Sequence, residues 1–308
     1  MEANRVAFGK ALVEAGQKNG RIVALDADLG KATNSIKFKA AFPERYLDCG
    51  IAEQNMIGIA AGLATAGKIP FASTFAVFAS MRAVEQLRNS VCYPNLNVKV
   101  VGTHAGIEIG GDGASHQAVE DVAITRSIPN LTVLVPSDHV ATKKLVAVMA
   151  EHRGPVYMRL GRDENEAIYG EDETFAIGGS KLLTPGDDVA IIAMGTMVYK
   201  AIEAQKLLAT QGICARVIDM YSIKPLDERA ILAAARETKG IVTVEDHTVL
   251  GGLGSAVCEV VAASQPTRVL RIGIQDKFGR SGTAEELFVA YGLTAENIVK
   301  AAKSILSL

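Results

Sequence analysis

Two imidazoles and a carboxylate fall close together in the segment 103–123, THAGIEIGGDGASHQAVEDVA: His104, Asp112 and His116. They surround the turn Gly110-Gly111-Asp112-Gly113, and helical periodicity begins only after His116. All three therefore belong to one irregular, glycine-hinged loop. Imidazole and carboxylate offer hydrogen-bond donors and acceptors rather than bulk, which suits a polyhydroxylated substrate. A metal site is the competing reading, but the loop has no helical HxxxH pair and no clustered cysteine. We read it as an active-site loop.

Other segments place reactive types at similar positions. In YLDCGIAEQNM, Glu53 stands where a strand hands over to an apolar helix. The commoner reading of such an acid is a first-turn carboxylate stabilised by the helix dipole. In STFAVFASM, Phe75 and Phe78 are three apart and can share one face of a turn. They are either core packing or an aromatic wall for a flat heterocycle. Arg159 ends the apolar run PVYMRL, and Arg5 lies near the start. A guanidinium there suits a phosphate or carboxylate, and an exposed surface arginine is the alternative. VEDHTVLGGLGSAV sets Gly251, Gly252 and Gly254 between a strand and a helix. This is an imperfect dinucleotide fingerprint without its later acid, so tight-turn packing is preferred.

These residues need a scaffold, and the chain supplies one. Apolar β-type runs at 21–28, 45–50, 70–75, 97–103, 131–137 and 155–160 alternate with alanine-rich helical segments such as 52–67. Continuous apolar strands between helices predict an α/β fold with a mostly parallel sheet covered on both faces. Ligands in such sheets bind beyond the carboxyl ends of the strands. The stretch 162–188 is acidic and glycine-rich, with Pro185, and reads as a connection. Alternation then resumes, with strands at 188–194, 214–220, 240–246 and 267–273. The expected organisation is one domain over 1–165, a linker over 166–187 and a second domain over 188–308.

Composition narrows the classes. The 308 residues are 49% hydrophobic with a formal net charge of −2. That excludes disorder and argues against nucleic-acid binding, which shows a basic excess. No run reaches the length of a membrane span, and the start MEANRVAFGK has no signal-peptide core. Cys49, Cys92, Cys214 and Cys258 are scattered and form no CxxC, so reduced thiols in a cytoplasm are expected.

Taken together, GIAEQNMIGIAAGLA, STFAVF, GTHAGIEIGGDGASHQAVEDVA, IPNLTVLVPSD and FGRSGTAEELFVAYGLTAENI resemble the carboxyl-terminal portion of transketolase. The resemblance covers nearly the whole chain. It implies a thiamine-diphosphate pyrimidine-binding fold followed by the transketolase C-terminal domain. It also implies transfer of a two-carbon ketol unit between sugar phosphates, as in the pentose phosphate pathway. By the resemblance, Glu53 hydrogen-bonds the pyrimidine, Phe75 stacks on it, Phe78 completes the wall, and Asp28 and Leu29 match cofactor-side positions. His116 and Asp112 resemble the residues that hold the donor's first hydroxyls. His104, Arg159 and Arg5 resemble the set that grips the sugar phosphate.

Three departures accompany the match. Met81 stands where the family often has Tyr. Ala32 stands where a phosphate-binding Ser is common, and Lys31 is the cation available to compensate. The only GDG, Gly111-Asp112-Gly113, lies inside the histidine loop and is not followed by the family's metal motif. The resemblance therefore implies half of a split enzyme that itself binds no metal. A separate N-terminal subunit would bind the diphosphate and Mg2+, in an α2β2 heterotetramer. The rival readings are a half enzyme like deoxyxylulose-phosphate synthase or the beta chain of a 2-oxo-acid dehydrogenase, and a non-catalytic interaction subunit.

Overall fold

The computed structural model describes residues 1–307. A seven-stranded sheet runs in the order Ser222–Lys224, Thr132–Leu134, Val156–Arg159, Lys99–Thr103, Ile69–Phe75, Ile22–Asp26, Tyr46–Asp48. Neighbours are parallel except the first pair. A five-stranded sheet runs Val269–Ile274, Ile241–Thr248, Val189–Ala193, Ala215–Asp219, Lys181–Thr184, again parallel but for its last pair. Glu2–Ala3 and Glu164–Asn165 form a small antiparallel ribbon. The expected α/β class and mostly parallel sheets are both present.

The apolar runs become central strands because both faces are covered. Along Ile22–Asp26 successive side chains point to opposite faces. Ile22 and Ala24 pack with Phe8, Leu12, Leu145 and Val146, from the helices Asn4–Lys18 and His139–Glu151. Val23 and Leu25 pack with Met56 and Ile57 of the helix Glu53–Thr65 and with Leu87 and Val91. That second cluster continues without a break into Ile192, Ile218, Ile231 and Val257 of the other sheet's layer.

Two features were not visible in the runs. The strand Ser222–Lys224 lies late in the chain yet forms the edge of the first sheet. The strand Lys181–Thr184 falls inside the acidic connection and edges the second sheet. Among the described residues no helix is long and apolar enough to cross a membrane.

The near-fingerprint at Gly251–Gly254 is a packed turn. The N–H groups of Leu253 and Gly254 donate to the buried Glu245 carboxylate at 2.7 and 2.9 Å. A Cβ on Gly252 would lie 2.1 Å from Glu245 Oε2. The donors that would cradle a phosphate at this helix N-terminus are already filled by the protein's own anion.

Candidate active site

The site assembles at the carboxyl ends of adjacent parallel strands. Phe75 ends the strand Ile69–Phe75 and is in register with Thr103, which ends the next strand and precedes His104. Parallel pairing therefore sets Phe75 beside His104, with ring centroids 4.2 Å apart. Phe78 stacks on Phe75 at 5.9 Å with 16° between planes. His116 presents its ring edge-on to both, at 6.3 Å from Phe75 and 5.3 Å from Phe78. Phe75 is buried and Phe78 partly exposed, so the pair forms an apolar wall open on one side.

Glu53 opens the helix Glu53–Thr65 and is 1% exposed. Both of its oxygens accept from Arg82 Nη1 at 2.9 Å. The Arg82 guanidinium lies over the Phe78 ring, 4.2 Å from its centroid. Phe78–Arg82 is a π-helical turn, with Arg82 lying over Phe78 four residues before it. Arg82 thus joins the carboxylate to the aromatic wall. The sequence reading missed it, because its partner Glu53 is 29 residues away.

The polar side gathers around His104. Its φ is +56°, a left-handed conformation that costs about 1–3 kcal/mol for a residue with a side chain. Burial, with Arg5 and Arg162 nearby, pushes its pKa down to about 3, so it is neutral at pH 7. Its Nδ1 lies 2.9 Å from Thr103 Oγ1. Arg5 donates through Nη1 to the Ala32 carbonyl at 3.2 Å and through Nε to the Arg162 carbonyl at 3.3 Å. Arg162 Nη1 donates to the Ile109 carbonyl at 2.6 Å, while the residue stays exposed. A neutral imidazole with two guanidinium groups near enough to act on it is a donor set for a phosphate-sized anion.

Arg159 requires a correction. It is 5% exposed, and its Nε pairs with both oxygens of buried Asp121 at 3.0 and 2.9 Å. Its Nη2 donates to the carbonyls of Ala118 and Asp246. It is a buried strut between layers. The exposed guanidinium beside this face is that of Arg162, three further on. Residue type gave no signal to separate the two; burial does, since Val156–Arg159 is a wholly buried strand and Arg162 lies past its end.

The remaining expected residues fall at the rim. Leu29 and Ala32 pack against the Phe75 cluster. Asp28 is exposed at φ +61°, and its N–H donates to Asp48 Oδ1. The loop Leu29–Ser35 hangs on buried Asp26, which accepts from Leu29 N at 2.5 Å, Thr33 Oγ1 at 3.0 Å and Ser35 Oγ at 2.8 Å. Lys31 and Met81 are exposed. Asp112 is exposed on the 3₁₀ turn Gly110–Asp112, and among the described residues its carboxylate has no hydrogen-bond partner. Ser115 Oγ lies 2.9 Å from His116 Nδ1.

Comparison with known proteins places the chain in a family. Residues 2–166 match the transketolase pyrimidine-binding domain, and residues 178–298 match the transketolase C-terminal domain. The chain belongs to the transketolase family. A protein of Methanocaldococcus jannaschii named as a transketolase C-terminal section is 51% identical over 299 residues, covering 96% of this chain and 94% of its own. A Clostridium protein named as a 6-deoxy-6-sulfo-D-fructose transketolase subunit is 45% identical, covering 96% of this chain and 91% of its own. A solved structure described as a split gene transketolase, inactive beta4 tetramer, superposes with a TM-score of 0.94 at 52% identity, covering 100% of this chain and 99% of that one. Within this transketolase chain, Glu53, the Phe75–Phe78 wall, His104 and His116 form one connected group. Arg82 and Arg162 join it, and Arg159 leaves it.

Proposed function

We propose that the chain is the pyrimidine-side subunit of a split transketolase. It transfers a two-carbon ketol unit from a ketose phosphate to an aldose phosphate, and it acts with a separate diphosphate-binding subunit in an α2β2 assembly in the cytoplasm. The observation that carries this reading is the near-parallel Phe75–Phe78 wall, bridged by Arg82 to the buried Glu53 carboxylate. An aminopyrimidine ring needs these two features together: an apolar face to stack on, and an acid at its edge. Thiamine diphosphate, when bound, supplies the electron sink for breaking the bond beside a ketone. Phe75 and Phe78 would hold its pyrimidine, and Glu53 would hold a proton at the ring nitrogen it faces. The described side chains that group as metal ligands, Asp187, Asp188 and Cys214, lie by the second sheet. By the family resemblance, the reading assigns Mg2+ and the diphosphate to the partner.

The chain's own polar residues divide the sugar between them. His116 and Asp112 face the donor's first hydroxyls. His104, Arg5 and Arg162 hold its terminal anion, with Lys31 at the rim. Ala32 offers no hydroxyl there. This admits a second reading, favoured by the name of the Clostridium relative: the terminal anion is a sulfonate. A sulfonate carries a single charge and needs fewer donors than a phosphate dianion.

Calorimetric titration of thiamine diphosphate with Mg2+ tests the assignment. The chain alone is expected to show no stoichiometric binding, and the chain with its diphosphate-binding partner is expected to bind tightly. Tight binding by the chain alone would overturn the split-site reading. Steady-state rates on phosphate-ended and sulfonate-ended ketoses then separate the two anions. In the assembled enzyme, Glu53→Ala is expected to abolish turnover.

A further inference from the structure

We infer that the second domain holds the histidine loop in its working shape, and that Asp246, Gly279 and Gln117 are positioning residues for His104, Asp112 and His116. The catalytic part of this inference rests on the reading above. The bracing itself stands on geometry alone.

The loop is clamped between two cores. Ala105, Ile109 and Ala118 pack against Phe75. Ile107 and Val119 point the other way, into the apolar core of the second sheet with Val189, Val242 and Ile274. Short-range bonds close the loop on itself, from Gly106 N–H to the Ala118 carbonyl, Gly110 N–H to Ile107, Gly113 N–H to Gly110 and His116 N–H to Gly113, and Ala105 N–H and Arg162 tie it to the first domain. The second domain adds a further set of anchors. Ile107 N–H donates to both oxygens of buried Asp246 at 3.1 Å. A Cβ on Gly106 would lie 1.8 Å from Asp246 Oδ2, so backbone and carboxylate are in direct contact. Thr248 N–H donates to the Val119 carbonyl at 2.7 Å.

The tail FGRSG covers the far side of the loop. Gln117 Nε2 donates to the Arg280 carbonyl at 2.9 Å. A Cβ on Gly279 would fall 1.6 Å from Gln117 Oε1. Cβ atoms on Gly113 and Gly110 would meet Ser281 Oγ at 2.6 Å and the Gly282 carbonyl at 3.1 Å. Gly106, Gly110 and Gly113 all have positive φ, so the loop's own preferences do not define a single shape. A glycine-hinged loop that carries a site gains from outside support, and the second domain supplies part of that shell.

Gly279 has no positive φ, so alanine fits its backbone and acts only by displacing Gln117. Hydrogen exchange of the full chain is the first readout. Gly279→Ala and Gln117→Ala are each expected to speed exchange of the amides in 106–117 about tenfold, with the central strands of both sheets unchanged. Asp246→Asn, which keeps an oxygen for Ile107 N–H, is expected to retain most protection, and Asp246→Ala to lose it. In the assembled enzyme Gly279→Ala and Gln117→Ala are expected to raise KM for the sugar about tenfold, with cofactor affinity unchanged. Unaltered exchange in Gln117→Ala, or loosening spread evenly through both sheets, would overturn the bracing. Altered exchange with unaltered KM would overturn the positioning role and leave the cofactor assignment untouched.

Discussion

Two arginines three residues apart show how much a residue's role depends on where the strand stops. Arg159 is sealed against Asp121, which also accepts from Tyr157 OH at 2.8 Å. Arg159→Ala would strand that carboxylate in the interior, and losing one partner of a buried pair costs about 3–5 kcal/mol. Arg162→Ala removes an exposed guanidinium, so stability should hold while KM for anionic sugars rises at least tenfold. Urea unfolding and steady-state kinetics on both variants separate these outcomes. Residue types alone made the two interchangeable, because only burial tells them apart. The clustering of the aromatic and imidazole residues could be expected from short local motifs. Arg82 was not, because its partner Glu53 is 29 residues away. His104 carries a pH signature. Its pKa is about 3 when folded, against an ordinary value of 6.5, so the unfolded chain takes up the proton first. Its contribution to stability is therefore complete above pH 6.5 and drains away as pH falls toward 3, at up to about 1.4 kcal/mol per pH unit. His104→Asn tolerates the left-handed backbone and does not titrate there. Between pH 7 and pH 5 the parent should lose more unfolding free energy than this variant. Parallel losses would mean that His104 is not neutral in the fold.

At the level of elements, the expected strands all appear, with ends shifted by a few residues; most are buried parallel strands written as continuous apolar runs, while Tyr46–Asp48 is a short exposed edge. The strands that were missed are short: Lys181–Thr184 and Ser222–Lys224 at sheet edges, and the two-residue ribbon Glu2–Ala3 with Glu164–Asn165. Their membership of a sheet depends on distant partners rather than on local pattern. The turn at Gly251–Gly254 shows the reverse case, a motif whose local form suggests a ligand and whose packing answers it. Glu245 closes the N-terminus of the helix Leu253–Ser264 from inside, and burial pushes its pKa up to about 7. Glu245→Ala would leave the Leu253 and Gly254 N–H groups without an acceptor. An unmet buried donor costs about 1–3 kcal/mol, so the variant should unfold at clearly lower urea. It should not gain affinity for inorganic phosphate, because a vacated internal pocket has no entrance for an anion. Phosphate-dependent protection of the variant in urea would show that the turn is a blocked ligand site after all.

In the whole molecule the two sheets are not separable beads. Residues 222–224 leave the second unit to pair with Thr132–Leu134, and Lys224 Nζ then donates to the Arg126 and Ile128 carbonyls at 3.0 and 2.5 Å. Arg159 reaches across to the Asp246 carbonyl at 2.7 Å, and the His247 ring accepts from Ala123 N–H at 3.2 Å. The cluster that covers one face of the first sheet is completed by Ile192, Ile218, Ile231 and Val257. A fragment ending at residue 165 would keep every residue assigned to the site except the bracing groups Asp246 and Gly279. It would also expose Val133 and Leu134 on an unpaired edge and uncover Ile107 and Val119. Exposed apolar edges of this kind template association. The fragment is expected to be helical by far-ultraviolet circular dichroism, to bind a hydrophobic dye, and to melt without a cooperative transition. The full chain should melt cooperatively and exclude the dye. A fragment that melts cooperatively and stays monomeric would mean that the first sheet folds alone, and that the crossing strand is an accessory to the site rather than part of its foundation.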